Sequence, residues 1–530
     1  MIAHLAILPI LLPLAAGALL LLVGGRRRGV EAGLALAASF ATLIVALLLA
    51  GAADQAGGQG LVLTYRLGDW PTNVAIVLVA DRLSALMVLL AAILGLLNTA
   101  SSLSRWARLG PYYTALSQFL MMGLNGAFLT GDLFNLFVFF EILLAASYGL
   151  LLHGSGDRRV APGLHYIVIN LAASLLFLVG VSLIFGVTGT LNMAALAEMV
   201  GQVPPPTRSL LHVGASILAV AFLVKAAAWP LGFWLPRAYD AAVPPASAMF
   251  AIMTKVGIYA LLRLSLLVFG GEAGESAGLG REWLFFAGVA TLAVGVVGML
   301  AARDMRRIAG YSLLVSVGTL LGAISFGDTA LLAGALFYMF VSTLGAAAFY
   351  QLSGLIGPEG GDAFEDPPTL EAYDPEDDGL LTEDDERAVA IPAPIGILSA
   401  GFLICTLIIA GIPPLPGFMA KFAMLGPLLQ EPEGPMSGAA ALLAALLVGS
   451  SLLALIAMAR AGIQIWWADP GRIPPTIRLG EAAPLGALLF GLLVLTFAIE
   501  GPYTFIQRAA MQALAPSQYS SAVVEGEAGP

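Results

Sequence analysis

The side chains able to do chemistry in this chain are few and oddly placed. All three lysines, Lys225, Lys255 and Lys421, fall inside long apolar stretches, whereas the cations of the loops are arginines. Arginine stays charged under all reachable conditions. A lysine removed from water can have its pKa lowered by several units, and so can release and regain a proton near neutrality. A proton relay needs that reversibility. A charged side chain at the bilayer centre costs roughly 2.5–3.5 kcal/mol on insertion scales, so three of them point to use. Glu141 supplies a counter-charge at the end of Thr130-Gly-Asp-Leu-Phe-Asn-Leu-Phe-Val-Phe-Phe-Glu141. A carboxylate among such neighbours needs a cationic partner or a proton. If Lys225 approaches it, the protonation of each controls the other, which makes a switch; the bland alternative is a static pair that pins helices. Asp132, at the start of the same helix, reads as a cap.

Two of the lysines sit beside helix breaks. The stretches 209–240 and 392–428 are too long for one span and contain internal proline and glycine. One reads Lys225-Ala-Ala-Ala-Trp-Pro230-Leu-Gly232-Phe233 and the other Pro413-Pro-Leu-Pro416-Gly417-Phe418-Met-Ala-Lys421. Transporters break corresponding helices of inverted repeats because freed backbone groups and half-helix ends can hold ions and water at mid-membrane. Lys255 lies about mid-span on the helix after the first break, where it could join two halves of a relay. Arg82, next to Asp81, is expected to neutralise that neighbour at the start of its helix.

Positioning these groups requires many spans. Hydrophobic residues make up 59% of the 530 residues and charged ones 11%. A water-soluble core cannot hide that much apolar surface, so lipid is the solvent. Apolar runs at 2–23, 32–51, 77–100, 111–130, 132–152, 164–187, 209–240, 244–270, 283–302, 307–326, 329–354, 392–428, 437–460 and 482–507 predict an all-α polytopic bundle of about 14 transmembrane helices with inverted repeats and two broken helices. The expected organisation is N-terminal helices over 1–110, a first repeat over 111–270, a second over 283–468, a final helix over 482–507 and a tail over 508–530. The first run is followed by Arg26-Arg27-Arg28, the reverse of a cleaved signal, and reads as a retained helix.

Charge patterning sets an expected orientation. Thirteen of the 34 acidic residues lie between Glu359 and Glu386, enough to outweigh the formal net charge of −10. The acidity is therefore local and does not suggest nucleic acid or basic substrates. The segment 357–390 reads as a solvated cytoplasmic loop. Fifteen arginines fall in the loops of one side, and only Arg66, Arg208, Arg281 and Arg508 in those of the other. By the positive-inside rule both termini face out. The single cysteine, Cys405, excludes an internal disulfide, and the four histidines show no ligand spacing, so no metal or other cofactor is expected.

With these residues in view, the chain resembles the D-type subunit of Mrp-type multisubunit sodium/proton antiporters, relatives of the antiporter-like subunits of respiratory complex I. The resemblance spans about residues 1–510. Its most specific pieces are Leu78-Val-Ala-Asp-Arg-Leu-Ser-Ala-Leu-Met87, Thr130 to Tyr148, Met253-Thr-Lys-Val-Gly-Ile-Tyr-Ala-Leu262 and Arg303-Asp-Met-Arg-Arg-Ile-Ala-Gly-Tyr-Ser312. It implies a proton relay in which Glu141 pairs with Lys225, Lys255 connects the halves and Lys421 is the terminal lysine. It also implies partners, a long A-type subunit and several small hydrophobic subunits, in the cell membrane, with Na+ and H+ as the transported ions. One departure matters: relatives usually carry a histidine where this chain has Val341. Either the link from Lys255 to Lys421 then runs through water, helped by Ser312, Ser316, Ser342 or Thr343, or it is weakened.

Two other functions fit the same composition. One is a proton-pumping module of a redox complex, whose redox centres would sit in other chains. The other is a scaffold in which the charges only hold helices together. Covalent catalysis is not expected, since no nucleophile, metal cluster or phosphate loop stands out.

Overall fold

In lipid, backbone groups must be satisfied within a segment, so the apolar runs become helices. The computed structural model describes residues 3–24, 27–54, 61–70, 76–357, 393–430, 437–466 and 477–524; the acidic segment 357–390, apart from Gly357, lies outside them. The opening helices are α1 (Leu8–Val23) and α2 (Arg28–Asp54), followed by a hairpin of β1 (Leu63–Arg66) and β2 (Val77–Ala80), then α3 (Arg82–Ser102). The hairpin is antiparallel with Leu63 opposite Ala80.

Ten further crossings form two units of five. The first holds α4 (Tyr113–Leu129), α5 (Leu133–Leu151), α6 (Asp157–Thr188), a broken span of α8 (Pro205–Lys225) and α9 (Leu235–Ala241), and a span of α10 (Pro244–Phe250) and α11 (Met253–Leu262) that continues as a π-helix over Arg263–Val268. The short α7 (Met193–Val200) precedes α8. The second unit holds α12 (Arg281–Ala301), α13 (Met305–Ile324), α14 (Thr329–Ile356), a broken span of α15 (Ala393–Ala410) and α16 (Pro416–Gln430), and α17 (Ser437–Trp466). Five is odd, so the second unit enters from the opposite face, which inverts the repeat. The packing repeats too: α4 lies on α5 as α12 lies on α13, and α6 on α8 as α14 on α16.

A last crossing, α18 (Leu479–Phe497), is followed by α19 (Glu500–Ala513) and α20 (Pro516–Val524). Among the described residues twelve helices are long and apolar enough to span a membrane. The 16-residue α1 and the 17-residue α4 pack against each other and complete fourteen crossings.

Several boundaries differ from the hydropathy reading. The run 77–100 opens as strand, because β2 pairs with β1 before Asp81 caps α3. The run 482–507 is not one helix: α18 stops at Phe497 and α19 starts at Glu500. The tail is not free through Val524. Ile506, Ala510, Tyr519 and Val523 are buried, with α20 packed on α7, β1 and the π-helix. An amphipathic helix counts as apolar in a hydropathy window although only one face packs.

Candidate functional site

Lys225 is the last residue of α8, and the chain leaves the helix directly after it. Ala227 has φ of 59° and the Trp229–Pro230 bond is cis. The Trp229 N–H donates to Thr291 Oγ1 on α12 at 2.8 Å, so a side chain of the second repeat satisfies the break in the first. Gly232 is needed because a Cβ there would overlap the Ala227 carbonyl oxygen. In the second break α15 ends at Ala410, Pro413–Pro414 is cis, and α16 begins at Pro416. A Cβ on Gly417 would overlap the Ile408 carbonyl oxygen.

Lys421 spans its own break. Its Nζ donates to the Ala410 carbonyl oxygen at 3.1 Å, a group left without a helical partner, and to Ser451 Oγ on α17 at 2.7 Å. Lysine carries three donors, so one remains for the cavity that Lys421 lines.

Glu141 and Lys225 lie on either side of Ser174, which bonds to both. Ser174 Oγ, on α6, donates to Glu141 Oε1, and Lys225 Nζ donates to Ser174 Oγ at 3.2 Å. The expected direct pair is thus a three-member chain. Lys225 Nζ also lies 4.8 Å from the centre of the Phe140 ring, whose face attracts a desolvated cation.

Lys255 is fully buried on α11 and donates to Ser316 Oγ at 2.9 Å. Ser316 and Ser342 hydroxyls are 2.9 Å apart. Ser316 accepts from the lysine and shares a hydrogen bond with Ser342, so the hydroxyls form a continuous chain from α11 through α13 to α14. Ser342 in turn lines a cavity of about 20 Å³ together with Lys421, Ser312, Tyr338 and Val341. A void needs roughly 10–15 Å³ to hold a water, so this one takes about one.

Of the expected helpers, Ser316 and Ser342 lie in the chain and Ser312 lines the cavity while donating to the Ala309 carbonyl oxygen at 2.7 Å. Thr343 is turned away: its hydroxyl donates to the Met339 carbonyl oxygen of its own helix at 2.6 Å. The expected Arg82–Asp81 pair does not form. Arg82 Nε reaches Asp54 at 2.9 Å, and Asp81 instead pairs with Arg263 at 2.6 Å. Adjacent residues at a helix start point in different directions, so sequence neighbours seldom pair. Burial pushes the Asp81 carboxyl up, but Arg263 and the Ser84 contacts hold it below the ordinary carboxylate range.

Residues 130–446 match the family described as "NADH:quinone oxidoreductase/Mrp antiporter, TM". The chain belongs to this family. It is 48% identical to the D-type subunit of the probable K+/H+ antiporter of Rhizobium meliloti (strain 1021), over 98% of this chain and 97% of that one. It is 33% identical to the D-type subunit of the Na+/H+ antiporter of Alkalihalophilus pseudofirmus, over 98% and 99%. Among solved structures it is similar to a chain of the Mrp complex from Dietzia sp. DQ12-45-1b, with a TM-score of 0.82, 26% identity and 99% of each chain covered.

Sequence reading missed Ser174, Ser451 and Arg263 as members of these clusters. For Ser174 a signal existed, since Asn170 and Ser174 are polar one turn apart in an apolar helix. Arg263 follows Lys255 and Tyr259 at four-residue spacing, which places all three on one stripe of the helix. Tyr259 donates to the Phe128 carbonyl oxygen at 2.6 Å and accepts from Arg263 Nε at 3.1 Å. Ser451 carried no distinctive signal, because small residues such as serine are common where membrane helices pack together.

Proposed function

We infer that this chain is the proton-translocating D-type subunit of a Mrp-type multisubunit monovalent cation/proton antiporter in the cell membrane, with both termini outside. Glu141, Ser174 and Lys225 form the entry switch, Lys255 connects the repeats through Ser316 and Ser342, and Lys421 is the terminal lysine. The breaks at Pro230–Gly232 and Pro416–Gly417 keep the flanking lysines in contact with polar groups at mid-membrane. One observation carries this reading: each broken span holds a buried lysine, and hydroxyls lead from Lys255 to a water-sized cavity beside Lys421. Protonation of Glu141 releases Lys225 from its electrostatic hold and lets its charge act on Lys255, and reversal resets the switch. The protein is then a secondary transporter, working beside a long A-type subunit and small hydrophobic subunits.

The test is cation-dependent proton exchange in everted vesicles carrying the whole complex, with Na+ and K+ compared. Exchange lost in both Lys225→Ala and Glu141→Ala at equal assembly supports the relay, and normal exchange in both refutes it. An exchanged pair, Glu141→Lys with Lys225→Glu, should be inactive, whereas a scaffold would tolerate it. The family also contains NADH:quinone oxidoreductase proteins, so a redox-driven proton pump is the second reading. A fully assembled wild-type complex without exchange would favour it.

A further inference from the structure

A groove of about 770 Å³ lies on the outside of the bundle, and none of the three lysines lines it. Its walls are one face of α8 from Ala215 to Leu223, the π-helix and the α11 turn before it, and α12 from Gly280 to Ala290. The groove ends at Trp229, Pro230 and Leu231, the first break itself. Its volume is in the range of sites that bind small molecules, about 300–1,000 Å³. The lining is almost wholly hydrocarbon, and the aromatic rings of Trp229, Trp283 and Phe286 at its edge are exposed.

Three observations indicate what it holds. The first is length. From Gly280 to Ala290 a helix rises about 15 Å, half of a hydrocarbon core of about 30 Å, so the groove spans one leaflet. A transmembrane partner helix would need a track along the full span, and an in-plane helix would cross these walls instead of following them.

The second is Ser265. It is 5% exposed, lines the groove, and its hydroxyl has no hydrogen-bond partner among the described residues. A buried hydroxyl in this state requires an acceptor. It sits in the π-helix, one turn from the end of its span; at about 1.5 Å per residue that puts it near the edge of a hydrocarbon core of about 30 Å, the level of phospholipid ester carbonyls. Departures from α-helical winding are frequent at functional sites.

The third is the rim. Above the groove on the same stripe of α8 are His212, bonded to Ser276 Oγ at 2.9 Å, and Arg208, ion-paired with Glu275. These polar groups mark the level of headgroups.

We propose that this groove is a binding site for one phospholipid of the leaflet on the side of the termini. An acyl chain fills the space between α8, the π-helix and α12, and Ser265 donates a hydrogen bond to an ester carbonyl. The tip of the chain rests on Trp229–Pro230–Leu231, four to six residues after Lys225. The bilayer thus touches the hinge of the first broken span.

The whole complex, reconstituted in phosphatidylethanolamine and phosphatidylglycerol vesicles containing a phospholipid with a diazirine on its acyl chain, tests this. After irradiation, labelled peptides of this chain are mapped. Label in the groove walls should exceed that on the plain lipid-facing surface of α6, at Leu164, Leu171 and Leu175, by about tenfold. Ala287→Trp, which fills the groove, should reduce groove labelling to the α6 level. Ser265→Ala should lower it about fivefold, the loss of one hydrogen bond to a neutral acceptor. If Ala287→Trp does not assemble, Ser265→Ala and the wild-type ratio still decide. Equal labelling of groove and α6, no change in Ser265→Ala, or cross-links from the groove to another polypeptide of the complex would each overturn the proposal.

Discussion

Replacing Ser174 by alanine is the most direct probe of the proposed switch, because the hydroxyl touches both charged groups and carries no charge itself. It donates to Glu141 and accepts from Lys225 at 3.2 Å. Hydrogen bonds to charged groups are worth about 1.5–3 kcal/mol each. Serine to alanine removes one oxygen from a site that is 3% exposed, and no bulk water enters to replace it. Lys225 can then close directly on Glu141 and form a fixed pair, or stay on the Phe140 ring and leave the carboxylate short of a donor. Either outcome slows proton movement. If one such bond is lost in the transfer step, exchange falls by roughly ten- to a hundredfold, since each 1.4 kcal/mol is a factor of ten. The assay is cation-dependent fluorescence quenching in everted vesicles, scaled to complex quantified by blue-native gels. Ser174→Thr keeps the hydroxyl and should retain most of the exchange. Wild-type rates in Ser174→Ala across the working pH range would refute the chain through Ser174.

Ser342→Ala should cut exchange by about tenfold through loss of one hydrogen bond, while Thr343→Ala, whose hydroxyl faces its own helix, should leave it unchanged; the same vesicles measure both. Gly232→Ala and Gly417→Ala force a Cβ onto a carbonyl oxygen and should lower the melting temperature on heated size-exclusion by several degrees, consistent with about 2 kcal/mol or more. Arg263→Met leaves Asp81 buried and unpaired at a cost of about 3–5 kcal/mol, and adding Asp81→Asn should restore much of it; a double-mutant cycle in thermal stability reads the coupling. His153, in the loop after α5, has its pKa lowered first by burial, while its Nε2 meets the Trp106 carbonyl oxygen at 2.9 Å. A depressed folded value means its contribution is complete above the ordinary pKa of 6.5 and is lost as pH falls through the lower folded one. His153→Gln should therefore show a smaller drop in melting temperature between neutral pH and about pH 5.5 than wild type.

Much of the molecule was legible because hydropathy is local. Any run of about 20 apolar residues must form a helix in lipid. The crossings, the two breaks and the placement of all three lysines within spans follow from residue order alone. The hydropathy signal failed where it could not separate one amphipathic face from a span, as at α19, and where β2 precedes α3. It also failed over neighbours: Arg82 stands beside Asp81 in sequence, yet Arg263, 182 residues away, holds that carboxylate.

Which polar atoms touch was decided by tertiary packing. Glu141 and Lys225 are separated by a serine from a third helix, Lys421 reaches the carbonyl that its own break exposes, and Val341 borders a cavity sized for about one water. Hydrogen bonds form or fail over a few tenths of an ångström. Such distances depend on how helices far apart in the chain settle against one another, and residue types along a single helix do not encode that. Residue identity determined which groups are able to carry a proton. The packed bundle decided which of them are within reach of the next.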